Sequence, residues 1–429
     1  MQIATISEIT AREILDSKGR PMLEVDVLAS DGSTGRGSSP CGTSVGRHEA
    51  VILRDGDRRF GGLGVRKAMK NVSEIIFPAL RGKNILQQQK LDTIMIELDA
   101  TTDKSRLGAN SIYSVSIAAA RAAANSLGLP LYQYLAETEK YILPIPVFNM
   151  INGGTYGDRK VEIQEFLLVP TAAETFSEAL RMSVEVFGKL EGIIAKRYGR
   201  GSLQLGCGAG YAAPVNEPAE CLETLLDAVE AAGYTDKFRV GLDCAASQFY
   251  DRESRYYMFR GKKTSRDEMI EFLVELADSY PVCMIEDPLD EDDFEGHASI
   301  LERLDILISG DDLLVTNIER VKKSVAMKAA NAIVIKPNMV GTITEALETA
   351  AYAKENGYCL VPGGRGGGSV DDPIPDIAVA LGAPMVKFGA PRAGEKVNKY
   401  NRLFQITDEI GKAARFSRFE DIEAKRKGI

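Results

Sequence analysis

The chain has 429 residues, 45% hydrophobic and 26% charged, which is the balance of a soluble globular protein. Its length allows one large α/β barrel plus a smaller domain. A net charge of −9 and a pI of about 5.2 give no electrostatic support to a nucleic-acid groove or a membrane surface, so neither partner is expected.

The opening "MQIATISEIT" has no cationic segment running into an apolar one, and no later apolar run is long enough to span a bilayer. Six scattered cysteines without a CxxC pair read as reduced thiols, so a cytoplasmic protein is expected. Only His48 and His297 are available as histidines, which excludes most zinc sites and most Ser-His or Cys-His catalysis. Chemistry here must use carboxylates, lysines, arginines or a hard metal ion.

In chain order, "MLEVDVLAS" (22–30) alternates apolar and polar residues as a half-buried strand does. "NSIYSVSIAAARAAANSLG" (110–128) is a small-residue helix that Gly128 and Pro130 terminate. Strands followed by helices predict an α+β domain over residues 1–140. Over 141–429 the rhythm changes to short β-branched runs such as "FRVGLD", "VCMIEDP", "ILISGDD", "AIVIKP" and "CLVPGG", with amphipathic helices between them. Ser265 and Glu268 form a capping box that opens one of these helices. Apolar strands joined by helical crossovers predict a parallel sheet closed as a (β/α)8 barrel.

In such a barrel the C-terminal strand ends share one mouth. The predicted strand ends carry Asp243, Glu286 and Asp311, followed by Lys336, Arg365 and Lys387. Carboxylates that converge without histidine call for a hard cation, and Mg2+ is the expected cofactor. A lysine near a second ammonium and a divalent ion has its charged form disfavoured, which makes Lys336 or Lys387 a usable base. Metal plus lysine suits removal of a proton α to a carboxylate. "LVPGGRGGGSVDD" (360–372) lacks the GxxxxGK[ST] pattern, so it is not a P-loop. It is either a bare turn or an anion cradle around Arg365.

Segments from end to end, among them "SSPCGTSVGRHEA", "NMINGGTYGDRKVEIQEFLLVPTAA", "IEDPLDEDDF", "IKPNMVGTITEA" and "KFGAPRAGEKVNKYNRL", resemble the signatures of the enolase family. The resemblance implies an enolase-type barrel behind an N-terminal α+β domain, and a homodimer or larger homo-oligomer. It implies Asp243, Glu286 and Asp311 as Mg2+ ligands and Lys336 as the base. Lys387 and Arg365 would grip substrate carboxylate and phosphate. Ser44 would close over a second Mg2+, and Glu165 would face the leaving hydroxyl.

The departures from the family pattern lie together. "GCGAG" puts Gly208 where the family has its general-acid glutamate. Tyr156 stands in a histidine position, and Gly364 and Gly366 flank Arg365 where the family has histidine and serine. The expected activity is therefore enolate formation from a 2-phosphoglycerate-like acid with altered leaving-group chemistry. A glycine-lined mouth would admit a phosphorylated or phosphonylated carboxylate, as in carboxyphosphonoenolpyruvate synthase. The alternative is an ordinary phosphopyruvate hydratase in which Glu165, Tyr156 or Cys207 replaces the missing acid. A non-catalytic descendant is the remaining reading.

Overall fold

The structure is a computed structural model that describes residues 4–157, 159–212 and 215–427; the ends of the two expected domains lie outside these ranges. Three antiparallel strands open the chain: β1 (Ile6–Leu15), β2 (Pro21–Ala29) and β3 (Thr34–Ser38). On β2 the inward residues Leu23, Val25 and Val27 are buried, as their alternation predicts. They pack on the helix Ala109–Ser126, whose run of alanines lets it lie close to the sheet. Gly35 on β3 completes that fit, because a side-chain carbon there would run into the backbone of Ala118 and Ala122.

Eight strands then form the barrel: β4 (Ile145–Asn152), β5 (Glu165–Val169), β6 (Arg239–Asp243), β7 (Val282–Glu286), β8 (Leu307–Gly310), β9 (Ala332–Ile335), β10 (Cys359–Pro362) and β11 (Met385–Lys387). Their order is β10-β9-β8-β7-β6-β5-β4-β11, and a parallel bridge from Gly363 to Lys387 closes the ring. Strands β7, β8 and β9 are buried along their whole length, the pattern of a sheet covered on both faces. The predicted capping box is present: the Glu268 N–H donates to Ser265 Oγ, and the Ser265 N–H donates to the Glu268 carboxylate.

One expectation fails. The sheet is not parallel throughout, because β5 runs antiparallel to both β4 and β6. The first residue of β5, not its last, therefore sits level with the mouth. Glu165 is that residue, and it pairs in register with Asp243 on one side and Asn152 on the other.

Candidate active site

Asp243 and Glu286 are the last residues of β6 and β7, and Lys387 is the last of β11. Asp311 and Lys336 each follow a strand by one residue. Asp243, Asp311, Lys336 and Lys387 line a common pocket, and Glu286 is buried behind Lys387. Lys387 Nζ lies 2.6 Å from Glu286 and 2.9 Å from both Asp243 and Glu165. Lys336 Nζ contacts Asp311.

Each of the three acids keeps one buried oxygen without a hydrogen-bond partner among the described residues: Asp243 Oδ1, Glu286 Oε2 and Asp311 Oδ1. A buried carboxylate oxygen left unpaired is costly, and three at neighbouring strand ends suit a hard cation. The residues present therefore fit Mg2+. The acids nevertheless fall into two overlapping groups, Asp243-Glu286-Asp287 and Asp287-Asp311-Asp312. Asp287 joins the two, and sequence reasoning missed it, although it directly follows Glu286 in "IEDP". Its backbone is left-handed with φ +42°, and its carboxylate accepts the N–H groups of Asp311, Asp312 and Leu313. It thereby fixes the turn that carries Asp311.

The electrostatics differ from the expected depressed lysine. Burial works to lower Lys336, but the charge of Asp311, with Glu286 behind it, outweighs burial and the repulsion of Arg365 and Lys387. Its pKa thus lies above the ordinary value while Asp311 is its partner. Lys387 is likewise desolvated, yet Asp243, Glu165 and Glu286 hold it well above its usual value. Burial, with Asp243 next, pushes Glu286 up, whereas Lys387 keeps Asp243 low against its own burial.

Part of the pocket lining is glycine-rich, and two expectations are corrected there. Gly208, Gly364 and Gly366 line the pocket but leave little extra room. A Cβ at 208 would fall well inside contact distance of Asn149 Nδ2, which itself donates to Glu165. A Cβ at 366 would meet the Thr43 hydroxyl, and one at 364 would lie 3.2 Å from Lys399 Cε. The space that glycine frees is thus already filled by side chains from elsewhere. What remains is about 20 Å3, room for about one water, because Lys336 and Lys387 lie folded onto the acids.

Arg365 does not face this cavity either. Its guanidinium grips Glu49 through both terminal nitrogens, at 2.8 and 3.2 Å, and Nη2 also donates to the Ser44 carbonyl at 3.2 Å. The arginine is only 4% exposed. Its fork, built for one carboxylate or phosphate, is therefore spent on the N-terminal loop. The same loop is tied down by Thr43 Oγ1 donating to the Gly366 carbonyl at 2.8 Å and by the Arg47 N–H donating to Glu291 at 2.9 Å. Ser44 stands beside Tyr156, whose phenol is raised above its usual value by burial and by the charge of Glu165. Cys207 does not line the cavity.

Sequence comparison agrees with this architecture. Residues 6–135 match the model of the enolase N-terminal domain, and residues 140–425 match that of the enolase C-terminal TIM barrel domain. The chain belongs to the enolase family. It is 47% identical over 407 residues to the enolase of Methanococcus aeolicus, covering 95% of this chain and 96% of that one. It is 45% identical to the enolase of Methanocaldococcus jannaschii over 95% of this chain and 96% of that one. With the enolase of Thermococcus kodakarensis the identity is 44%, over 94% and 95% of the two chains. As an enolase-superfamily member the chain is a carbon–oxygen lyase by family. Among the described residues no helix is long and apolar enough to cross a membrane.

Proposed function

We propose that this enolase-family chain interconverts 2-phosphoglycerate and phosphoenolpyruvate, with Lys336 taking and returning the α proton. The observation that carries this reading is a buried lysine just past a strand end, paired with Asp311, beside three strand-end acids that each keep an unpartnered oxygen. Relatives named enolase, alike over nearly the whole chain, support it over phosphonate chemistry. So does the glycine wall, whose spare volume is occupied.

Binding a carboxylate substrate requires Lys336 and Lys387 to turn off the acids toward it. Lys387 then counters the substrate carboxylate, and Lys336, freed from Asp311, loses the contact that holds its proton. Asp243, Glu286 and Asp311 would hold Mg2+, which supplies Lewis-acid stabilisation of the enolate charge. Arg365 holds the 41–49 loop through Glu49, and Tyr156, beside Ser44, closes the pocket on that side.

The test is to supply purified protein with Mg2+ and α-deuterated 2-phosphoglycerate. Phosphoenolpyruvate should appear by ultraviolet absorbance, and deuterium should wash out of the remaining substrate. Wash-out without phosphoenolpyruvate would keep Lys336 as base but discard the elimination. Neither signal would discard both.

A further inference from the structure

Elimination of hydroxide needs a proton donor, and position 208 offers none. The obvious substitutes are already engaged. One Glu165 oxygen accepts from Asn149 and the other lies against Lys387. Tyr156 is held far from giving up its proton. Lys387 is enclosed by three carboxylates.

Lys396 is different. It lies in the first turn of the helix Gly394–Ile410, is 2% exposed, and lines the same cavity as Lys336, Lys387 and Gly208. Its side chain runs along Gly389, where a Cβ would come within 3.0 Å of Lys396 Cδ and 2.9 Å of the Gly208 carbonyl oxygen. The lysine thus passes beside the position that lacks an acid. Its Nζ donates to the Arg365 carbonyl at 2.9 Å. Among the described residues it makes no ion pair, whereas the neighbouring Lys399 has Asp372 at 3.2 Å. A buried ammonium without a counter-ion is expensive and marks a group kept for a purpose other than stability.

We propose that Lys396 is the proton donor to the departing hydroxyl. This deepens the hydratase reading and rests on it. The neutral amine of Lys336 first removes the C2 proton, leaving the C–H electron pair as the enolate of the carboxylate, and that pair then becomes the C2=C3 π bond. The C3–O bond breaks with its pair on oxygen, a proton passes from Lys396 Nζ to that oxygen, and water leaves. Solvent then reprotonates Lys396 and accepts the proton from Lys336. Burial, with Lys399 beside it, brings the Lys396 ammonium down to about 8, against the opposing charges of Glu395, Glu165 and Asp372. It is therefore charged at neutral pH and gives up its proton at small cost.

The experiment uses the Mg2+-loaded protein and two substrates: 2-phosphoglycerate, and its 3-chloro analogue, whose chloride leaves without a proton. Lys396→Met should lower phosphoenolpyruvate formation from 2-phosphoglycerate by ~10²–10⁴-fold. α-Deuterium wash-out and chloride release should stay within a few-fold of the wild type. Lys396→Arg keeps the charge and much of the packing but cannot release a proton near neutrality, so it should show the same split. In the wild type a basic limb near pH 8 should shape dehydration and be absent from chloride release. Dehydration by Lys396→Arg at the wild-type rate would overturn the assignment alone. Equal loss of dehydration and chloride release would make Lys396 structural and overturn it too. A wild type that forms no phosphoenolpyruvate would bring down the hydratase reading and this proposal with it.

Discussion

At the barrel mouth, the charged wall of Asp243, Glu286, Asp311, Lys336 and Lys387 adjoins a bare wall of Gly208, Gly364 and Gly366. The first consists of titratable groups at the ends of strands, all but Asp311 buried, and each tied to an opposite charge. The second consists of bare backbone whose neighbouring volume is supplied by Asn149, Thr43 and Lys399. Charge on one wall is set by the strand that carries it. Shape on the other is set by residues far away in sequence. The two walls should therefore fail differently when altered: the first in its chemistry and metal affinity, the second in packing.

The largest effect should come from the charged wall. Lys336→Ala should lower turnover by ~10²–10⁴-fold, the range for a positioned base, and abolish α-deuterium wash-out from 2-phosphoglycerate. Wash-out that persists in the variant would place the base elsewhere, with Lys387 the first suspect. Next comes Glu286→Gln, which keeps the shape and removes the charge. It should raise the Mg2+ concentration needed for half-maximal activity by at least the ~10–100-fold typical of losing a supporting partner. Calorimetric Mg2+ titration of the variant should show the same loss. An unchanged titration would separate Glu286 from the metal.

The same contrast explains what could be read from residues alone. Asp243, Glu286, Asp311, Lys336 and Lys387 were legible as a converging set because strand-end position follows from apolar runs, and strand ends in a barrel share a mouth. The helix at 110–128 and the strand at 22–30 were legible for the same local reason. Reversal of β5 was not, since a short buried strand carries no signal of its direction. Asn149 was invisible because it sits in the middle of the apolar β4 run. Glu49 and Lys396 lay in quoted segments, yet the partner of each is Arg365, through its guanidinium for Glu49 and its carbonyl for Lys396, far off in sequence. The expectation of a roomy glycine mouth failed for that reason: sequence shows a side chain that is missing, not the one that fills its place.

A medium effect should expose the packing wall. Gly208→Ala puts a methyl group against Asn149, so overpacking should cost ~1–3 kcal/mol and lower the melting temperature. Asn149→Ala alone also destabilises, because it removes the donor to Glu165 and the acceptor that Asn152 Nδ2 reaches at 2.6 Å. The double variant should be less damaged than the sum of the two singles, since deleting the Asn149 amide makes room for the methyl. Strict additivity in thermal melts would mean that Asn149 does not fill the space over Gly208. In that case the roomier mouth inferred from sequence would regain support.

The smallest effect should fall where the two walls meet the N-terminal loop. Arg365 holds Glu49 with two N–H donors on different nitrogens, a geometry that a lysine cannot reproduce with its single ammonium. Arg365→Lys keeps the buried charge paired, so the heavy cost of an uncompensated carboxylate is avoided. One charge-assisted hydrogen bond is lost, and the contact to the Ser44 carbonyl goes with it. The loop should loosen by about 1 kcal/mol, roughly a fivefold rise in its open population. Arg47 lies on this loop, and its side chain is 40% exposed, so trypsin can report the change. Cleavage after Arg47 under native conditions should run about fivefold faster in the variant, with the melting temperature of the barrel little altered. Mg2+ with 2-phosphoglycerate should protect the wild-type loop if substrate binding needs it closed. Unchanged cleavage in Arg365→Lys would show that Thr43 on Gly366 and Arg47 on Glu291 hold the loop without the arginine, which would return Arg365 to the role of an anion ligand.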